Sequence, residues 1–187
     1  MILVIDTSSS TALVATLNGE RKEIAVSARG GELQPALRRI ARDHVVTKVA
    51  VVSGPGSFTG LRVGVSFALG LAMGLRIPIV PLPTLELQAA RSDEDVTAVA
   101  EAGRGRYYFR LPDGTSGAGE PAAIPTRYPL VGRLASRDAL TAAGHRFKPE
   151  GELRRLVDAA AILLETAPEV PYRNLEIEYM QSFSRKG

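Results

Sequence analysis

The 187-residue chain contains no cysteine and no tryptophan, and only two histidines. The first absence excludes disulfides, thiolate zinc sites and thiol catalysis. His44 and His145 stand far apart, with no H-x-x-x-H or H-E-x-x-H spacing, so no helix can present a histidine pair to a metal. Aromatic residues make up 5% of the chain, too few for the ring platforms that grip single-stranded nucleic acid. Charge of one sign is also scarce. The formal net charge is +3, a mild basic excess of the kind a mixed, solvated surface carries. The longest apolar stretch, Leu61 to Val80, holds Arg62, Arg76, three glycines and Pro78, so it is not read as a membrane span. The opening Met1-Ile-Leu-Val-Ile-Asp6 lacks a basic leader and a long apolar segment, and a soluble cytoplasmic protein is expected.

What is present is enough for a packed core. Hydrophobic residues are 45% of the chain and charged residues 23%. Ile2 to Ile5, Ala12 to Leu17 and Arg21 to Ala28 read as three strands, with Asn18-Gly19 as a hairpin turn. Leu33, Ala36, Leu37, Ile40 and Ala41 recur at helical spacing after Gly30-Gly31. Val45 to Val52 reads as a buried strand, and a second helix runs from the glycine loop at 54–60 to about Leu75. Ile77 to Leu82 adds a parallel strand, and Thr84 to Ala90 a short helix. Ser92 to Asp95 reads as a linker. Beyond it, Val96 to Ala100 and Tyr107 to Leu111 are strand candidates, 112–129 reads as irregular chain, Val131 to Leu134 as a strand, and Glu150 to Thr166 as a helix. The tail holds an aromatic patch, Tyr172 to Tyr179, and a basic end. This suggests an N-terminal unit, 1–92, and a smaller unit, 93–187, that begins the same pattern and then thins out; a single α/β domain with an irregular extension is the alternative.

Two segments could carry chemistry. Ser53-Gly-Pro-Gly-Ser-Phe-Thr-Gly60 joins a strand to a helix, where free backbone N–H groups favour an anion. Its spacing fits neither the dinucleotide fingerprint, nor Walker A, nor the nucleophile elbow. A tight turn that needs glycine is the alternative. Asp6-Thr-Ser-Ser9, between the first two strands, resembles the first phosphate loop of the actin, hexokinase and Hsp70 superfamily. There, the aspartate helps position a metal. Thr7 replaces the usual glycine, however, and the corresponding turn of the second half, Glu101-Ala-Gly-Arg-Gly105, lacks the expected aspartate. A hairpin-capping carboxylate is the other reading of Asp6.

The helix from Gly60 to Leu75 has only Arg62 and Ser66 as polar residues. A helix apolar all round must be covered all round, and a chain this short has little to spare. Gly60/Gly64 and Gly70/Gly74 permit close approach by a neighbour. A partner interface on the first two helices is therefore expected, built from Leu33, Leu37, Ile40, Leu61, Val65, Leu69 and Ala72, with a helix buried wholly within this chain as the alternative.

Ile5-Asp-Thr-Ser8, the run Ser53-Gly-Pro-Gly-Ser-Phe-Thr-Gly-Leu-Arg-Val-Gly64, Gly70 to Pro78 and Pro83-Thr-Leu85 resemble the TsaB (YeaZ) family, over Met1 to about Ala90. The resemblance implies an α/β, actin-like and ribonuclease-H-like two-lobed fold with a degenerate, shortened second lobe. It implies a non-catalytic subunit of the bacterial machinery that places a threonylcarbamoyl group on an anticodon-loop adenosine of tRNA. The expected partners are TsaD, as a heterodimer through the first two helices, and TsaE, with a homodimer when the chain is alone. No cofactor of its own is implied. ATP and metal are expected on the partner subunits, and tRNA only through the assembled complex. Arg29-Gly-Gly-Glu-Leu-Gln34 lacks the histidine that many family members keep there. The rival readings are an ATP-dependent sugar-kinase-like enzyme, a peptidase of the glycoprotease type, and direct tRNA binding by Arg104, Arg106, Arg110, Arg127 and Arg133.

Overall fold

The computed structural model describes residues 1–27 and 31–178. Ala28-Arg29-Gly30, which include the end of the third strand as read from sequence, and the tail from Tyr179, with its basic end, lie outside the described residues.

The first sheet has five strands: β1 (Ile2–Asp6), β2 (Thr11–Leu17), β3 (Arg21–Ser27), β4 (Lys48–Gly54) and β5 (Ile79–Pro83). Their order is β3-β2-β1-β4-β5, with β1-β2-β3 antiparallel and β4 and β5 parallel to β1. The central strands carry unbroken apolar runs, Ile2–Ile5 in β1 and Val49–Val52 in β4, because both sheet faces are covered. Alternation sorts their side chains. Leu3, Ile5, Val14, Val49, Val51 and Ile79 point to one side, where α1 (Leu33–Asp43) and α2 (Phe58–Leu75) lie. Val4, Leu13, Ala50, Val52, Val80 and Leu82 point to the other, against Leu87 of α3 (Thr84–Ala89) and Leu156, Val157, Ala159 and Ala160 of α5 (Leu156–Leu164).

The second sheet contains β6 (Thr97–Gly103), β7 (Arg106–Arg110), β8 (Ser116–Gly119) and β9 (Leu130–Val131), in the order β8-β7-β6-β9. Counted from its own first strand, this repeats the order of the first sheet and stops one strand short. It packs on Tyr107, Ile124, Leu130 and on Leu140 of the short helix α4 (Asp138–Ala142). Strand β8 lies in the segment that reads as irregular chain from sequence. Its Ser-Gly-Ala-Gly carries no hydrophobic alternation, so only pairing with β7 makes it a strand.

The two sheets are joined through α3, which gives Leu87 to the first core and Leu85 to the second. Residues 92–95 are clamped rather than loose. Arg91 is buried and bonds Gln88, the Arg154 carbonyl and the Glu150 carboxylate. Arg154 pairs with Asp93, and Lys148 with Glu94 at 2.8 Å. A division at residues 92 and 93 separates the sheets, yet α5, from the second segment, completes the first core. The helix read over 150–166 is a 3-10 turn at Glu150–Glu152 followed by α5. Past α5 the chain runs back along the first sheet. Val170 pairs with Ile79, the Tyr172 hydroxyl lies 2.9 Å from the Ile77 carbonyl, and the Glu178 N–H donates to Ser53 O at 2.8 Å.

Helix α2 starts at Ser57, whose hydroxyl accepts the Gly60 N–H at 3.2 Å, and ends at Arg76 in the left-handed region. By length and hydropathy it could cross a membrane, but Leu61, Val65, Ala68 and Ala72 pack it into the core. The two glycine pairs on it differ in kind. A Cβ on Gly60 would lie 2.1 Å from Thr7 O, and one on Gly64 2.1 Å from Thr7 Oγ1. A Cβ on Gly70 or Gly74 would meet nothing within 4 Å. Gly64→Ala is therefore expected to cost about 1–3 kcal/mol by overpacking. Gly70→Ala should stabilise by about 0.5–1 kcal/mol through helix propensity. Urea midpoints of the two variants should move in opposite directions.

Candidate functional site

The Asp6 turn and the glycine loop are packed on each other. Asp6 has no exposed surface. Its Oδ1 accepts the Ser8 N–H at 2.9 Å and the Ser8 hydroxyl at 2.6 Å, so the carboxylate caps its own turn. The Ser57 N–H, at the head of α2, donates to the Ser8 carbonyl at 2.8 Å. A Cβ on Gly56 would lie 2.7 Å from that same carbonyl. The glycines thus admit the backbone of residues 7–8.

The remaining Asp6 oxygen is taken from the second half of the chain. Arg133 Nη1 donates to Asp6 Oδ2 at 2.6 Å, and Nη2 donates to the Thr11 carbonyl. Two residues on, the Ala135 N–H donates to Glu101 Oε1 at 2.7 Å. One short segment after β9, residues 133–135, therefore binds the acidic residue of both turns. A buried carboxylate needs such partners, because desolvating its charge costs several kcal/mol. Both oxygens of Asp6 are thus committed, Oδ1 to Ser8 and Oδ2 to Arg133. Among the described residues no group of three His, Asp or Glu side chains could hold a metal ion.

The other basic residues of the second half are dispersed. Arg110 lies 3.9 Å from Glu86, Arg106 donates to the Ala118 carbonyl, and Arg127 covers the Tyr128 ring. His44 is exposed, while His145 is buried with Nε2 2.9 Å from the Pro121 carbonyl.

The residues expected to form a partner interface are mostly interior. Leu33, Leu37, Ile40, Leu61, Val65 and Ala72 are buried within the chain itself, and Leu69 is half-buried against the same core. The reason is geometric. A helix lying on a sheet buries its best-packing stripe there, and that stripe comprises these branched and small residues. The accessible face is rotated from it. Ser66, Phe67, Gly70 and Leu71 of α2 and Gln34, Leu37, Arg38, Ala41 and Arg42 of α1 line a groove of about 450 Å³. Met73, 58% exposed, and Leu75 continue the apolar surface toward the end of α2, and Phe58 marks its start under the Arg62 guanidinium. Hydrophobic composition reveals that α2 has apolar surface to spare. Only the helix rotation shows which residues provide it.

Arg133→Met should leave the Asp6 carboxyl buried and short of a partner. The expected loss is about 2–3 kcal/mol, below the cost for a fully enclosed pair because Arg133 retains some solvent contact. Asp6→Asn combined with Arg133→Met should recover part of it. A double-mutant cycle by denaturant melts reads the coupling, and additive losses would deny the pair this role.

With this geometry in hand, known proteins give a consistent picture. The family described as "TsaD: tRNA N6-adenosine threonylcarbamoyltransferase" matches residues 33–116. The tRNA threonylcarbamoyladenosine biosynthesis protein TsaB of Bacillus subtilis is 34% identical over 128 residues, covering 59% of this chain and 54% of that protein. The TsaB protein of Haemophilus influenzae is 33% identical over 122 residues, covering 58% and 52%. The match thus spans about half the length of these curated relatives. YeaZ from Pseudomonas aeruginosa superposes with a TM-score of 0.74 at 20% identity, over 96% of this chain and 99% of that one. A second Pseudomonas aeruginosa structure, described as similar to peptidase YeaZ, gives 0.77 at 21%. These two likenesses bear on the fold alone, and they agree with an actin-like, ribonuclease-H-like α/β fold. Motifs, relatives and fold converge on a likeness to the TsaB (YeaZ) family.

Proposed function

We propose that this chain is a non-catalytic docking subunit in tRNA threonylcarbamoyladenosine biosynthesis. In this reading it holds a TsaD-type subunit in its active arrangement in the cytoplasm, while TsaD performs the transfer. TsaE, ATP and metal belong to the partner side of the assembly, and tRNA is met only there. The observation that carries the reading is the closure of the cleft. Residues 133–135 bind Asp6 and Glu101 together, in the place where a phosphotransferase of this fold would hold phosphate and metal. The apolar groove between α1 and α2 supplies the complementary half of the argument, a surface that gains by being covered.

Docking through the groove is tested by Gly70→Gln. Position 70 has open space around it, so a neutral, longer side chain fills the groove without disturbing the core. Affinity for the TsaD subunit, read by calorimetry, should fall at least about tenfold, roughly 1.4 kcal/mol. The melting curve of the isolated chain should stay near that of the parent. In a reconstituted mixture with TsaD and TsaE, tRNA modification should require this chain. ATP hydrolysis by the chain alone, abolished by Asp6→Asn, would overturn the reading in favour of a kinase-like enzyme.

A further inference from the structure

A separate crevice lies where the chain returns past the end of α2. It encloses about 660 Å³ between the α2–β5 connection, Arg76 to Pro78, and residues 169–173. It shares no lining residue with the α1–α2 groove. Its apolar surface comes from Ile77, Pro78, Val170, Pro171 and Tyr172. The pairing of Val170 with Ile79 fixes the returning segment. The carbonyl end of α2, which would repel an anion, is covered by the Tyr172 hydroxyl, 3.1 Å from Ala72 O and 2.9 Å from Ile77 O. Two guanidinium groups border the crevice, those of Arg76 and Arg173, and both residues are exposed. Neither forms an ion pair among the described residues. The one acid in the lining, Glu169, lies 2.6 Å from Lys48, so that pair cancels and the two arginine charges stay unanswered. Arg76 also closes α2 in the left-handed region, at φ 55°, where glycine or asparagine is usual. The core gains nothing from an arginine there, because its side chain faces solvent.

We propose that this crevice binds a small phosphate monoester carried on an apolar or aromatic body. The inference is independent of the docking role above. The volume lies in the range of small-molecule sites, which are mostly apolar with a few placed polar groups. A phosphate monoester carries about 1.5 to 2 negative charges near neutral pH and offers three acceptor oxygens. One such group answers both arginines, since each guanidinium presents a planar fork of N–H donors to phosphate oxygens. A carboxylate carries a single charge and leaves one arginine unmatched. The proline rings, Ile77, Val170 and the body of Tyr172 supply the surface on which the rest of the ligand lies. Arg76 and Arg173 are far apart in sequence, so the site exists only because the chain comes back along the first sheet after α5.

The test titrates phenyl phosphate into the full chain by calorimetry, with a dissociation constant of about 1 mM or below expected. Inorganic phosphate lacks the apolar body and phenol lacks the anion, so each should bind at least about tenfold more weakly. Amide shifts caused by phenyl phosphate should centre on Ile77, Val170 and Tyr172. In the variant R76N/R173Q, asparagine still accepts the left-handed backbone and residue 173 is exposed, so its melting curve should match the parent's. Its affinity for phenyl phosphate should fall at least about tenfold. R38Q/R42Q removes the same charge elsewhere on the surface and should leave that affinity unchanged. Absence of binding up to about 10 mM phenyl phosphate would overturn the proposal. So would amide shifts centred elsewhere, or an equal loss in the two double variants, which would reduce the effect to overall charge. Equal affinity for inorganic phosphate would remove the apolar half of the site and overturn it as well. Capture of the chain by phosphatidylcholine vesicles containing phosphatidic acid, lost in R76N/R173Q, would assign the arginines to a lipid headgroup and overturn the small-ligand reading.

Discussion

Asp6 is a carboxylate with no path to water, and the arrangement of the two lobes follows from that constraint. Its charge is held by three donors, two from Ser8 within its own turn and one from Arg133 beyond the second sheet. The local donors hold the turn in shape. The distant one ties the sheets across the cleft, because a guanidinium can satisfy the carboxylate only if residue 133 is brought to it. The Glu101–Ala135 bond fixes the same segment from the other side. Together with the Arg91, Arg154 and Lys148 clamp at the joint, these bonds hold the lobes in one relation.

The glycine loop acquires its meaning from the same turn. A loop of this shape in front of a helix suits an anion, since its N–H groups point outward and the helix dipole adds to them. Here the Ser57 N–H meets the Ser8 carbonyl, and Gly56, Gly60 and Gly64 lie where any Cβ would strike residues 7 and 8. The loop still serves an oxygen, but one belonging to the backbone of β1's own turn. Glycine is required for contact between two pieces of chain, which explains a motif rich in glycine with none of the spacings that phosphate binding imposes.

Closing the cleft shifts interest to the outer surface. Helix α2 gives one stripe to the first core and keeps Phe67, Gly70, Leu71 and Met73 at or near the surface. A helix with no acidic residue and few basic ones is costly to leave wet, and a protein of this size cannot enclose it from both sides. The contrast between the two glycine pairs marks the division. Gly60 and Gly64 meet the chain's own Thr7, whereas Gly70 and Gly74 face open space.

The sequence by itself determined the order of elements through the first half, the packing demand of α2 and the likeness to a family, since each rests on local spacing or on a contiguous motif. Hairpin signals, β-branched runs and helical periodicity act over a few residues, so they survive without tertiary context. Strand β8 did not, having no alternation to reveal it, and α5 could not be assigned to the first core because nothing local states which sheet a helix will cover. Arg133 reads from sequence as one basic residue among several. Its role depends on meeting a carboxylate 127 positions away. The docking face followed the same logic: composition counts how much apolar surface a helix has, but the rotation that buries Val65 and Ala72 and exposes Gly70 and Met73 is chosen by the sheet beneath it.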